Sequence, residues 1–266
     1  MSLVAKCLSA TAVAHARAST AMHRALAAGD AFVAGVLDAS LADDEKSRLG
    51  VRLYDAAPHY RDPGQLFEWE RVWFDKRLPK APASVLVTAC GAGREVIALT
   101  DMGYQVTAFE PAPSLLALAV QRVPAARFSR ASYREWIERK ETARYDAIVL
   151  GWGSLAHVLG ASERAALLSA AHRACPTGPI LASYWPAPQT RPGQARATGQ
   201  RVGRAISAVR GVATSPTGDA WTANIGFAHG FSDAELRALA DSVGRTLAID
   251  GKPGDYPHAA FLHRSA

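Results

Sequence analysis

Cysteine is scarce in this chain. Only Cys7, Cys90 and Cys175 occur among 266 residues. An odd number at wide, unmatched spacing gives neither a disulfide framework nor a metal knuckle, and it fits a reducing compartment. No apolar run approaches the roughly 20 residues a bilayer-spanning helix needs, so a membrane span is not expected. Among the glycines, none falls in the order G-x-x-x-x-G-K-[ST], which excludes a nucleoside triphosphate held by a P-loop. Aromatics are missing from the densest basic run, "RPGQARATGQRVGRAISAVRG". That argues against a nucleic-acid footprint and for a solvated basic face. Acids are absent from the first 29 residues, which are rich in alanine and include basic residues. Such a composition superficially suggests a transit peptide. Alanine is also the best helix former, so an ordinary N-terminal helix is the preferred reading and the cytoplasm the default location.

What remains is the profile of a soluble globular protein. Hydrophobic residues make up 49% and charged residues 20%, with a formal net charge of +6. The length suffices for one full core, with or without an appendage. Nothing in the composition excludes a homodimer.

Residues 1 to about 75 read as helical, with breaks near Gly29-Asp30 and around "AAPHYRDPGQ". In "LFEWERVWFDKRLP", Leu66, Trp69, Trp73 and Phe74 are spaced to share one helix face. Pro79 and Pro82 then separate an N-terminal helical segment or lid (1–79) from the remainder (80–266). From Ser84 the pattern alternates. Strands are expected at 84–89, 105–110, 126–129, 145–150 and 179–184, with helices at 94–102, 113–121, 132–140 and 161–174. Alternation at this spacing implies parallel strands with crossover helices, an α/β class with a doubly wound sheet. Residues 186–230 interrupt the alternation with a stretch rich in Pro, Gly, Thr and Arg and a helix around 194–209. "FSDAELRALADSVG" restores a helix, with Ser232 as N-cap, Glu235 completing a capping box and Gly244 at the C-terminal end. "TLAID" and "HAAFLH" around "GKPGDYP" read as a closing antiparallel hairpin.

One stretch is built to hold something other than protein: "SVLVTACGAGREVIALTDMGYQVTAFEP", Ser84 to Pro111. Gly91 and Gly93 let the backbone turn tightly and approach a ligand at the carboxyl end of a strand. Glu110 ends the next strand, where an acid accepts hydrogen bonds from ribose hydroxyls. A dinucleotide fingerprint wants a third glycine, and Val96 stands there instead. Glu95 also adds negative charge where a pyrophosphate would sit. A nucleoside without phosphates fits better.

"VLVTACGAGREV", "VTAFEP" and "YDAIVLGWGSLAHV", in this order, resemble the motifs of the class I S-adenosylmethionine-dependent methyltransferases. The resemblance covers residues 80–185 and extends to the "FSDAELRALADSVG" helix and the terminal hairpin. It implies a Rossmann-like, mostly parallel seven-stranded sheet with an antiparallel C-terminal hairpin. It also implies S-adenosylmethionine as cofactor, leaving S-adenosylhomocysteine. Carried onto this chain, Cys90, Gly91 and Gly93 lie along the donor's methionine part and Glu110 holds the ribose. Pro111 and Ala112 border the adenine, with Ser132 and Tyr133 flanking it. Gly151, Trp152 and Ser154 sit near the sulfonium. The acid that often precedes the family's glycines is replaced by Thr88-Ala89, so backbone carbonyls are left to meet the ammonium.

Further candidates keep two readings each. Arg94 is either a partner for the donor's carboxylate or a solvent-facing helix residue. Cys90 is a small packing residue rather than a nucleophile. His157 is either a base for a protonated acceptor or a helix-start residue with local hydrogen bonds. Tyr54, His59, Tyr60 and Trp69 either fold over the donor as a lid, with Tyr60 touching it, or form the core of a helical layer. Tyr184 and Trp185 either line an acceptor pocket or pack in the core. Arg191, Arg196, Arg201, Arg204 and Arg210 hint at an acidic acceptor. The expected activity is methyl transfer to a small molecule such as a specialised metabolite. The alternatives are a peptide or protein acceptor, or a silent donor-binding scaffold.

Overall fold

The computed structural model describes residues 3–140, 142–187, 193–214, 219–222 and 225–264, with side chains from residue 8 onward. The chain forms two compact units, one of residues 43–189 and 224–266, the other of 1–42 and 190–223. The division differs from a cut at 79/80. Residues 43–79 belong with the sheet, because Leu66, Trp73, Phe74 and Leu78 share a buried cluster with Val85, Val87 and Val106.

The larger unit is an α/β sheet of seven strands. These are β1 (Ser84–Thr88), β2 (Gln105–Glu110), β3 (Arg127–Arg130), β4 (Ala147–Leu150), β5 (Ile180–Ser183), β6 (Arg245–Ile249) and β7 (His258–His263). Their spatial order is β6-β7-β5-β4-β1-β2-β3. Strands β1 to β5 pair in parallel, and β7 runs antiparallel to both β5 and β6. The order reverses at β1, between β2 and β4, which puts the switch point and its crevice beside the carboxyl ends of those strands. "AIVL" of β4 and "ILAS" of β5 are buried at every position, the mark of strands covered on both faces.

Helices α4 (Arg94–Asp101), α5 (Pro113–Arg122), α6 (Tyr133–Glu138), α7 (Ala161–Ala174) and α9 (Asp233–Ser242) accompany the sheet, preceded by α2 (Asp43–Ala56) and α3 (Glu68–Arg77). Ser232 caps α9 by accepting the Glu235 N–H at 3.2 Å. The reciprocal half of the expected capping box is absent, because the Glu235 carboxylate turns to His229 and Arg164, each at 3.0 Å. A guanidinium together with an imidazole outcompetes a single backbone N–H. Arg245 fastens the edge hairpin. Fully buried, it donates to the carbonyls of Gly178 and Phe261 at 2.8 Å and also to those of Cys175 and Pro176.

The smaller unit is built on α1 (Leu3–Ser40) and α8 (Gln194–Arg210). The expected break at Gly29-Asp30 does not occur, and α1 is continuous through it. A lone helical glycine costs only about 1 kcal/mol, and alanines flank it on the N-terminal side. The two helices meet backbone to backbone. A side chain at Gly35 would strike the Arg196 carbonyl, one at Gly199 that of Phe32, and one at Gly203 that of Val36. Asp38, fully buried, accepts from Arg196 and Gln200 at 3.2 Å. Arg196 and Arg210 thus serve this helix pair, Arg210 through the Ser40 carbonyl. Arg191 lies outside the described residues.

Candidate active site

The turn after β1 is wound tightly. Ala89 (φ 46°), Gly91 (φ 55°) and Gly93 (φ 97°) all take left-handed backbone. For an alanine that conformation costs about 1–2 kcal/mol, strain of the kind that clusters at functional sites. Gly93 lets the turn pack onto α5, since a Cβ there would lie 3.2 Å from Ala119 Cβ. Gly91 differs: a Cβ there would meet nothing within 4 Å, so the turn faces open space.

Glu110, at the carboxyl end of β2, reaches across to this turn. Its Oε2 accepts the Gly91 N–H at 2.8 Å and its Oε1 the Ala112 N–H at 2.9 Å. Only 5% of the residue is exposed. Burial pushes its carboxyl up to about 7, although the two backbone N–H groups favour the charged form, and the charges of Asp55 and Glu95 push the same way as burial. Each carboxylate oxygen has two acceptor positions, so one on each remains for a hydroxyl. Tyr54 and Tyr60, with ring centroids 4.5 Å apart, pack against Ala92, Ala112 and Leu115 beside this turn. Pro111 follows Glu110, and its carbonyl accepts from Arg130 Nε at 3.4 Å.

Arg94 opens α4 and is held on both sides. It donates to both carboxylate oxygens of Glu70 at 2.7 Å, and to Glu95 Oε1 at 3.0 Å. Glu95 in turn accepts the Trp152 N–H at 3.0 Å. Two acids thus face one guanidinium in this buried group. Burial raises the Glu70 carboxyl, against the pull of Arg94. Both orientations of the Arg94 fork are therefore committed within the protein, and its guanidinium lies over the rings of Trp152 (5.0 Å) and Phe67 (5.2 Å).

A hydroxyl chain runs between the ends of β1 and β4. Tyr133 Oη lies 2.9 Å from Thr88 Oγ1 and 2.6 Å from Ser154 Oγ. Burial pushes the Tyr133 phenol up to about 12, keeping it a neutral donor. Ser132 caps α6 by accepting from Glu135 N at 3.2 Å. Gly151 packs so closely on β1 that a Cβ would stand 2.8 Å from the Thr88 carbonyl. Cys90 is buried, and burial first, then Glu110 and Glu95, push its thiol well above the ordinary range. It is a packing residue, not a thiolate.

His157 follows in the short helical turn Ser154–His157. Its Nδ1 lies 3.0 Å from the Phe227 carbonyl, which only accepts, so the proton sits on Nδ1. Nε2, at 2.9 Å from Tyr54 Oη, then accepts from the phenol. Burial lowers the imidazole's pKa, with the Phe227 hydrogen bond opposing. His157 is a neutral imidazole with both nitrogens engaged. Neither Tyr54 nor Phe227 is near it in sequence, so only the fold reveals the arrangement.

Next to Gly151, Trp152 turns outward and is 47% exposed. With Phe67, Trp69, Asp255 and Tyr256 it lines a cavity of about 390 Å³. The sequence had marked Trp152 and Trp69 but neither Phe67 nor the hairpin residues Asp255 and Tyr256. Those last two stand over a hundred residues downstream of Trp152 and join it only through β7. Tyr184 is buried in the core with Phe231, their centroids 6.2 Å apart. Among the described residues no group of three His, Cys, Asp or Glu side chains could hold a metal ion, and no helix is long and apolar enough to cross a membrane.

Residues 85–178 match the family model described as a methyltransferase domain. No curated protein sequence matches the chain. Among solved structures, DesVI of Streptomyces venezuelae superposes with a TM-score of 0.53 at 16% identity, covering 74% of this chain and 91% of its own. KedS8, a sugar N-methyltransferase from Streptoalloteichus, gives 0.53 at 18%, covering 74% and 86%. Magnesium protoporphyrin IX methyltransferase from Synechocystis, solved with bound S-adenosylmethionine, gives 0.53 at 14%, covering 85% and 99%. At these identities the likeness is one of fold.

Proposed function

We propose, from the match of residues 85–178 to a methyltransferase domain, that the protein transfers a methyl group from S-adenosylmethionine to a small-molecule acceptor. The observation that carries this reading is the pairing of Glu110 with Gly91 at the switch point. A carboxylate with one free acceptor position on each oxygen stands beside a glycine that opens onto free space. Those features fit a ribose and the backbone-hugging tail of a nucleoside donor.

Glu110 would accept from the two ribose hydroxyls, with Pro111 and Ala112 beside the base. Ser132 and Tyr133 belong to the adenine side by resemblance. Tyr133, as the hydroxyl bridge between Thr88 and Ser154, holds the ends of β1 and β4 together. Gly91, Gly93 and Cys90 would follow the amino-acid portion, with Gly151, Trp152 and Ser154 at its reactive end. Tyr60 and Tyr54 would cover the site and exclude water. When bound, the donor supplies an electrophilic methyl group on a sulfonium, and the chain's task is to align an acceptor behind it. His157 is neutral and therefore able to take a proton from that acceptor, provided Tyr54 first releases Nε2. A cavity of about 390 Å³ beside Trp152 is of the size that houses small molecules, which favours such an acceptor over a peptide. Cytoplasmic location and a homodimer remain part of the proposal.

Calorimetric titration with S-adenosylmethionine and S-adenosylhomocysteine tests the reading, followed by transfer of labelled methyl to pools of small molecules. We expect binding that weakens by about 1–3 kcal/mol in Glu110→Ala, where charge-assisted hydrogen bonds are lost. No binding by the wild type would overturn the function. Binding without transfer to any acceptor would favour a silent scaffold.

A further inference from the structure

The cavity beside Trp152 has a composition that the donor site does not explain. Four rings close on one another around it. Phe67 neighbours Trp69 (6.3 Å between centroids), Trp69 neighbours Tyr256 (6.0 Å), Tyr256 neighbours Trp152 (5.8 Å), and Trp152 returns to Phe67 (5.3 Å). Phe67 and Trp69 lie nearly parallel, as do Trp69 and Tyr256, whereas Trp152 meets Phe67 and Tyr256 at 62° and 63°. The result is a floor of parallel rings with an upright wall. Phe67 and Trp152 are 45% and 47% exposed, an unusual amount of aromatic surface for a soluble protein to leave uncovered.

Around these rings three acids, Glu70, Glu95 and Asp255, accompany one cation, Arg94. Aromatic faces carry the negative part of the ring quadrupole. Behind Trp152 and Phe67 stands the buried group in which Arg94 meets two acids, Glu70 and Glu95. Arg94 itself lies over both rings, so these faces already hold one cation. At the open side, Asp255 uses Oδ2 to accept the Lys252 N–H at 3.1 Å. Its Oδ1 has no hydrogen bond or ion pair among the described residues.

The geometry points to this cavity as an acceptor site for a cationic small molecule, an ammonium carried on an apolar or flat body. The floor of Trp69, Phe67 and Tyr256 takes the body. Trp152 and Asp255 take the charge. That the bound molecule is also the methyl acceptor rests on the methyl-transfer reading above: a separate atom with a lone pair, such as a hydroxyl oxygen, would form the new bond to the methyl as the carbon–sulfur bond breaks, its proton passing to solvent. The cation preference does not, because it follows from the rings and carboxylates alone. Trp152 joins the two sites: it adjoins Gly151, whose N–H bonds to Thr88 O at 3.2 Å just before the glycine turn.

Choline and its uncharged isostere 3,3-dimethyl-1-butanol differ only in the charge, and 3,3-dimethylbutanoate reverses it. Binding of each to the full chain is read by ligand-observed NMR and by quenching of tryptophan fluorescence, with and without S-adenosylhomocysteine. We expect choline to bind about tenfold more tightly than the neutral isostere, in keeping with a desolvated cation–π contact, and the anion not to bind. Phe67→Ala and Asp255→Asn, both at exposed or half-exposed positions and outside the proposed donor contacts, should each weaken choline about fivefold and leave S-adenosylhomocysteine binding unchanged. Equal affinity for choline and the isostere, no choline binding, or full choline affinity in Phe67→Ala would overturn the proposal while leaving donor binding to stand. Choline binding in a chain that ignores S-adenosylhomocysteine would support the cation site and overturn its role in methyl transfer.

Discussion

Donor affinity should rise with pH through neutrality, because the group proposed to grip the ribose is a buried acid. The Glu110 carboxyl is pushed to about 7 by burial, from an ordinary 4.5. Ribose hydroxyls donate to a carboxylate far better than to a carboxylic acid, so the competent form is the charged one. With a midpoint of about 7, roughly nine-tenths of the protein carries that charge at pH 8 and about one-tenth at pH 6. Apparent affinity scales with the competent fraction, which gives about a tenfold weakening from pH 8 to pH 6, or about 1.4 kcal/mol. Binding at pH 7 should release about half a proton, measurable by calorimetry with S-adenosylhomocysteine in buffers of different ionisation enthalpy. Stability runs the other way. A carboxyl raised on folding holds its proton in the native state, so its contribution is present below pH 4.5 and is lost as pH rises to about 7. The loss is roughly 3 kcal/mol by linkage. Glu110→Gln should abolish the proton release and flatten both profiles. It should also cost about 1–3 kcal/mol of stability, since its amide nitrogen must face the N–H of Gly91 or Ala112. A wild type whose donor affinity is level from pH 6 to pH 8, or a Gln variant with an unchanged slope, would refute this account of Glu110.

Three further outcomes are expected. Gly91→Ala places a Cβ in open space but on left-handed backbone (φ 55°), so thermal unfolding should show a loss of about 1–2 kcal/mol and titration a larger loss of donor affinity. Arg245→Met strips four carbonyls of one buried partner and should destabilise the protein by about 3–5 kcal/mol in urea unfolding, with the donor affinity of the folded fraction unchanged. Tyr54→Phe removes the hydroxyl from His157 Nε2. It should cost about 1 kcal/mol of stability and raise the imidazole's accessibility to alkylation, and an alkylation rate equal to wild type would refute the tautomer assigned to His157.

The sheet was legible because its signals are local. Apolar runs such as "AIVL" and "ILAS", the paired glycines and the acid at the end of β2 each announce themselves within a few residues, and the structure sets them where alternation requires. The Ser232 cap was equally local. The destination of the Glu235 carboxylate was not, since His229 and Arg164 reach it by folding. Long-range chemistry had no sequence trace. Arg94 could be read as a free helix residue or a donor contact, and only the approach of Glu70 from α3 shows the guanidinium already committed. The same holds for Tyr54 and His157, and for Tyr256 and Asp255, whose hairpin meets Trp152 only after the antiparallel strand is laid down. The break expected at Gly29 failed for a different reason. One weak residue could not outweigh a run of strong helix formers.

The glycine seam between α1 and α8 has a practical corollary. Its halves come from opposite sides of residues 43–189 in the chain, so the loss of residues 1–42 would be felt in α8. Deleting them would leave α8 with bare backbone where α1 had lain and Arg196 without its carboxylate. A shortened version of the protein would have to lose both helices of that clasp at once.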